Sequence, residues 1–144
     1  MLQIAIRILV IAGASVFLFL GTLHATLTVR DLRHPRAFTP RDPALRLAMQ
    51  QSSIGLHPSI NLWKAWLGFN LTHSLGLVLF GGALLHVGLF EPHVFAASAL
   101  VQAVAVLVSA SYVGLSVTFF FRNPVVGSAI GLGCFLAASA LSFV

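Results

Sequence analysis

Apolar residues in this chain run on for about twenty positions at a time, without the alternation of a half-buried strand or the narrow stripe of a surface helix. Four such runs occur, at 8–27, 66–89, 95–119 and 124–143. Each is close to the roughly 20 residues that take an α-helix across the hydrocarbon core of a bilayer. The joints between the last three are short, and Glu91-Pro92 and Arg122-Asn123-Pro124 each place a proline where a helix stops or starts. Connections this short make successive helices antiparallel neighbours. The pattern predicts an all-α fold, a polytopic membrane protein with four transmembrane helices in an up-down bundle, forming a single domain over residues 1–144. The first run is too long for the apolar core of a cleavable signal and has no clear small-x-small cleavage site, so it counts as a span.

The connection over residues 28–62 has room for structure of its own. Thr39 can cap a helix that begins at Pro40; alternatively Asp42 caps and Pro43 leads. Leu45, Ala48 and Met49 then share a face with Ser52, Arg41, Arg46, Gln50 and Gln51 supply the polar remainder, and Gly55 is the expected stop. The expectation is a short amphipathic helix in the headgroup region, with Leu45 and Met49 toward the bundle or acyl chains and Arg46 toward water. An ordinary connecting helix packed beneath the bundle fits the same pattern.

Composition sharpens this picture. Only 8% of the residues are charged and 58% are hydrophobic, against roughly 25% charged in a soluble domain. The formal charge of +5 does not point to nucleic acid, because most of the basic residues stand in one loop of a lipid-soluble chain. Arg30, Arg33, Arg36, Arg41, Arg46 and Lys64 belong to the long connection, and Arg122 to the last turn on the same side, which leaves Arg7 alone opposite. That bias predicts a cytoplasmic long loop with both termini outside, and it puts Trp63 and Trp66 at the cytoplasmic interface. The single cysteine, Cys134, excludes an intrachain disulfide and a multi-cysteine zinc site. Small residues at intervals of four also mark faces for close helix packing: Gly127 and Gly131; Ala129, Gly133 and Ala137; Gly68, Thr72 and Gly76.

Candidate chemistry rests on polar residues at membrane depth, where an unpartnered polar group is costly. Trp66, Asn70 and His73 lie on one stripe of the second span, Gly21, His24 and Thr28 on one stripe of the first, and Ser109, Tyr112 and Ser116 on one stripe of the third. At 1.5 Å per residue, His24 lies ~5 Å inside its span, and His73 and Tyr112 ~10 Å inside theirs. His24, Trp66, Asn70, His73, Tyr112 and Ser116 are therefore the candidate ligand-binding residues, and His24 and His73 the candidate metal ligands. Such a layer serves as an interhelical hydrogen-bond network, as a pocket for a lipid headgroup or quinone, or as a haem or metal site. His73 and His86 are spaced as in membrane cytochromes that stack two haems, but no other span offers a matching pair. Spans without carboxylates exclude paired-carboxylate catalysis, and no phosphate loop or nucleophile elbow is present, so no catalytic residue is assigned. His34, His57 and His93 are each followed or preceded by a proline and read as turn residues, while Asp31 and Asp42 read as partners of nearby arginines or as helix caps.

The runs Gly21-Thr22-Leu23-His24-Ala25-Thr26 and Trp63-Lys64-Ala65-Trp66-Leu67-Gly68-Phe69-Asn70-Leu71-Thr72-His73-Ser74-Leu75-Gly76 resemble those of small uncharacterised four-span bacterial membrane proteins. The resemblance implies the topology, a bacterial inner membrane and the pairing of His24 with the Asn70 and His73 stripe, and it implies no chemistry. The expected function is that of a non-enzymatic accessory, assembly or scaffold subunit of a larger membrane complex, with membrane lipids, other subunits or further copies of itself as partners. The rivals are a binder of a lipid, quinone or haem at the polar layer and an enzyme acting on a lipidic substrate.

Overall fold

The computed structural model describes residues 1–143, so Val144, the last residue of the expected domain, lies outside the described residues. The chain is almost wholly helical, and four of its helices are long and apolar enough to cross a membrane. In chain order the elements are α1 (Leu2–Arg33), α2 (Pro43–Gln51), β1 (Ser53–Ile54), β2 (His57–Asn61), α3 (Leu62–Phe90), α4 (Pro92–Ala97), α5 (Ala99–Phe119) and α6 (Arg122–Leu141). Those four, the candidate spans, are α1, α3, α5 and α6. The first extends six residues beyond its apolar run at both ends and the second four residues before its run, because nothing at Arg7 or Lys64 breaks a helix once it has begun.

Three local expectations need correction. The third run is not one helix: Ser98 adopts extended backbone (φ −107°, ψ 103°), ends α4 and caps α5 by accepting the Val101 N–H at 3.3 Å. Carbonyls freed by this break are taken up by Gln102, whose Nε2 donates to Phe95 O at 2.9 Å and Ala96 O at 3.2 Å. In the loop, the second of the two expected starts holds and Thr39 is not the cap: Asp42 caps the helix, its carboxylate accepting the Ala44 N–H at 2.9 Å, with Pro43 at the first position. It ends at Ser52, before Gly55, because residues 53–61 turn back as an antiparallel hairpin that pairs Ser53 with Asn61 and Ile54 with His57. His57 is thus a strand residue, and His93 lies in α4, 3.5 Å from the Glu91 carboxylate.

The chain divides into two compact units. The first comprises residues 1–20 and the described residues from 77 onward and holds the apolar core: Ile6, Val10, Ala14, Phe17, Leu77, Leu84, Phe95, Ala105, Phe135 and Ala138. Phe17 is its hub, 5.1 Å edge-on from Phe80, 6.2 Å stacked with Phe135 and 5.8 Å from the Tyr112 ring. Here α1 and α3 run in opposite directions. Arg7 Nη2 donates to Leu89 O at 3.0 Å, capping a carbonyl in the last turn of α3, and Gly88 abuts Val10 and Ile11. A Cβ on Gly81 would stand 2.5 Å from Leu18 N, so these two backbones touch. The expected close-packing faces divide accordingly. Gly127 abuts Leu20 and Gly131 lies against the Phe17 ring, whereas Gly68 and Gly133 have no atom within 4 Å of a Cβ and face outward.

The second unit, residues 21–76, holds the end of α1, α2, the hairpin and the start of α3. One part of the expectation for its loop helix fails. Arg46 does not face water: its guanidinium carbon lies 5.4 Å from the centre of the buried Trp63 ring. Leu45 is 52% exposed. An aromatic face beside a cation outweighs the few apolar contacts that a nine-residue helix with no buried residue can offer.

Candidate functional site

The second unit gathers four of the six candidate residues. Asn70 is buried, 4% exposed, and spends both ends of its amide: Nδ2 donates to Trp66 O, one turn back on α3, at 2.8 Å, and Oδ1 lies 3.0 Å from His24 Nε2. A backbone carbonyl can only accept, which fixes the orientation of the amide and makes His24 Nε2 the donor. A neutral His24 therefore carries its proton on Nε2 and keeps a lone pair on Nδ1. Trp66 in turn donates its indole N–H to Phe38 O at 2.9 Å, and the Phe38 ring lies 4.4 Å from the centre of the His24 ring. Histidine, asparagine, tryptophan and phenylalanine thus close a cycle that joins α1, the loop and α3. His73 lies beside this cycle, its ring centre 5.2 Å from that of His24 and 6.3 Å from that of Phe69.

The loop can join the cycle because of a residue that the sequence pattern assigned to an arginine or a helix cap. Asp31, in the last turn of α1, is 2% exposed. Its Oδ1 accepts the N–H groups of Arg36 (3.0 Å) and Ala37 (2.9 Å), and its Oδ2 accepts the Phe38 N–H (2.7 Å) and the Thr39 hydroxyl (3.1 Å). A carboxylate offers about four lone-pair positions, and all are filled. Three successive backbone N–H groups wrapped on an anion form a nest, here made by the chain for its own side chain. No arginine side chain pairs with Asp31 among the described residues. Thr39 works as a donor to this carboxylate, which explains why it caps nothing.

Tyr112 and Ser116 belong to the first unit, where Tyr112 packs on Phe17 and Ser116 is buried in α5. Several other buried hydroxyls bond within their own helices: Thr28 to His24 O, Ser74 to Asn70 O, Ser109 to Ala105 O and Ser128 to Pro124 O. A hydroxyl bonded one turn back is content at membrane depth without a neighbouring helix, so these groups do not tie spans together as the stripes implied.

The arrangement limits the metal and cofactor readings. No cluster of three or more His, Cys, Asp or Glu capable of holding a metal exists among the described residues. Axial ligation of haem from two sides needs bonds of roughly 2 Å on each face, so two imidazoles with centres roughly 6 Å apart and a macrocycle between them. The 5.2 Å edge-on contact of His24 and His73 leaves no such slot. The lone pair on Nδ1 of a neutral His24 can take a hydrogen bond only from a donor. No protein-family model, curated protein or solved structure matches this chain.

Proposed function

We propose that this protein is a non-enzymatic accessory or assembly subunit of a larger complex in a bacterial inner membrane. In this reading the four spanning helices form an up-down bundle, the long loop is cytoplasmic, both termini lie outside, and α2 rests amphipathically at the membrane surface. The observation that carries the proposal is the set of outward glycines. Gly68 on α3, Gly114 on α5 and Gly133 on α6 are exposed, with nothing within 4 Å of a Cβ. Glycine weakens a helix by about 1 kcal/mol relative to alanine, and a lipid-facing position gains nothing from it. A neighbouring helix does, because a missing side chain lets backbones come close. The polar interior supports the same reading, since Asn70, Trp66 and Asp31 direct their hydrogen bonds to the chain itself. A photo-crosslinking residue at Gly133 should yield protein adducts of discrete mass in native membranes. Lipid adducts alone would overturn the proposal.

A second reading, binding of a lipid or quinone headgroup, draws on the His24 Nδ1 lone pair beside the His73 ring. It requires that His24→Ala and His73→Ala each release the same species in native mass spectrometry. Purified protein that carries no small molecule would remove this reading.

A further inference from the structure

We infer that the segment between α1 and α3 binds the surface of a bilayer leaflet rich in anionic phospholipid, with Leu56 inserted among the acyl chains and nearby cations on the phosphates. Leu56 stands at the tip of the hairpin next to Gly55 and is 91% exposed, and Leu45 and Ile60 are exposed as well. Among the described residues nothing buries these side chains, and α2 buries none of its own.

Two observations identify lipid as the cover. The first is tethering. The segment leaves one spanning helix and enters another, so both of its ends are held where a helix emerges from the bilayer, and lipid is the phase within reach. The second is charge. Arg30, Arg33, Arg36, Arg41 and Lys64 are exposed, and none has a carboxylate within ion-pair distance among the described residues. The two acids near these cations are engaged, Asp31 in the last turn of α1 buried in its nest and Asp42 capping α2. An excess of unpaired cations beside exposed apolar side chains is the pairing of signals that holds a segment on an anionic leaflet. This inference rests on the membrane reading of the four helices and not on the accessory-subunit reading.

The test uses the full chain with Cys134→Ser and Leu56→Cys, carrying an environment-sensitive dye at residue 56. The side chain of Leu56 is exposed, so the substitution leaves the fold intact. The protein is reconstituted in vesicles of phosphatidylcholine alone, or of phosphatidylcholine and phosphatidylglycerol in equal parts, with lipids bearing a nitroxide high on the acyl chain. Blue-shifted emission is expected, with nitroxide quenching several-fold stronger when phosphatidylglycerol is present. Adding Arg36→Gln and Arg41→Gln should reduce the quenching toward the level in phosphatidylcholine. Emission typical of water, indifferent to nitroxide and to phosphatidylglycerol, would overturn the inference. Shielding lost when the protein is diluted at fixed lipid would assign the surface to a second copy and overturn it too. A chain that fails to float with vesicles would instead refute the membrane reading itself.

Discussion

Asp31 carries its carboxylate with almost no exposed surface, and it is tolerated there because four donors replace the water it has lost. A hydrogen bond to a charged group is worth about 1.5–3 kcal/mol, and bonds to one acceptor group are not additive. Asp31→Ala should therefore cost about 3 kcal/mol in unfolding of the micelle-solubilised protein. Asp31→Asn should cost nearly as much, since its amide N–H₂ would face backbone N–H groups. Arg36→Ala is the discriminating control. It keeps the backbone N–H that Asp31 uses, so its effect should stay within about 0.5 kcal/mol. An Arg36→Ala defect as large as that of Asp31→Ala would mean that an ion pair holds the loop.

Among the helices, the sharpest contrast lies between two glycines of α3. Gly81 meets the backbone of Leu18, which cannot yield as a side-chain tip can, so Gly81→Ala should destabilise by about 1–3 kcal/mol. Gly68→Ala meets open space and should raise stability slightly, by up to about 1 kcal/mol, in a thermal melt of the isolated protein. Equal effects would contradict the packing described. The pair also shows how much of the architecture is readable from sequence. Apolar runs announce the spanning helices, and the spacing of Trp66, Asn70 and His73 places them on the stripe that meets His24. Spacing by four cannot say which small-residue face is packed, because Gly68 and Gly131 look alike until Phe17 is known to lie against one of them. The break at Ser98 is equally silent, since serine is ordinary in a span and its rescue by Gln102 depends on carbonyls that exist only once the helix has ended. Asp31 escapes notice for the same reason: its partners are main-chain groups, and any residues can supply those. Arg46 escapes because its attraction to Trp63 opposes the apolar period of α2.

At the scale of the whole molecule, charge bias sets an expectation for orientation that labelling can check. A cysteine at Ser52, in a Cys134→Ser background, should react with a membrane-impermeant reagent only from the cytoplasmic side. One at His93, 76% exposed beside Glu91, should react only from the opposite side. Reversed labelling would invert the proposed topology. The Asp31 nest also carries a consequence for how the chain is made. Its bonds span five to eight residues, so it can close as soon as the chain has been synthesised through Thr39. The His24–Asn70 bond spans 46 residues and must wait for α3. Short closures cost less entropy than long ones, so the first span has its trailing carboxylate wrapped before its helical partner exists. Residues 36–39 are then in place before α3, with the Phe38 carbonyl ready for the Trp66 indole on arrival. The order of synthesis thus favours the Asp31 nest, the buried acid among the described residues, over every contact that waits for α3.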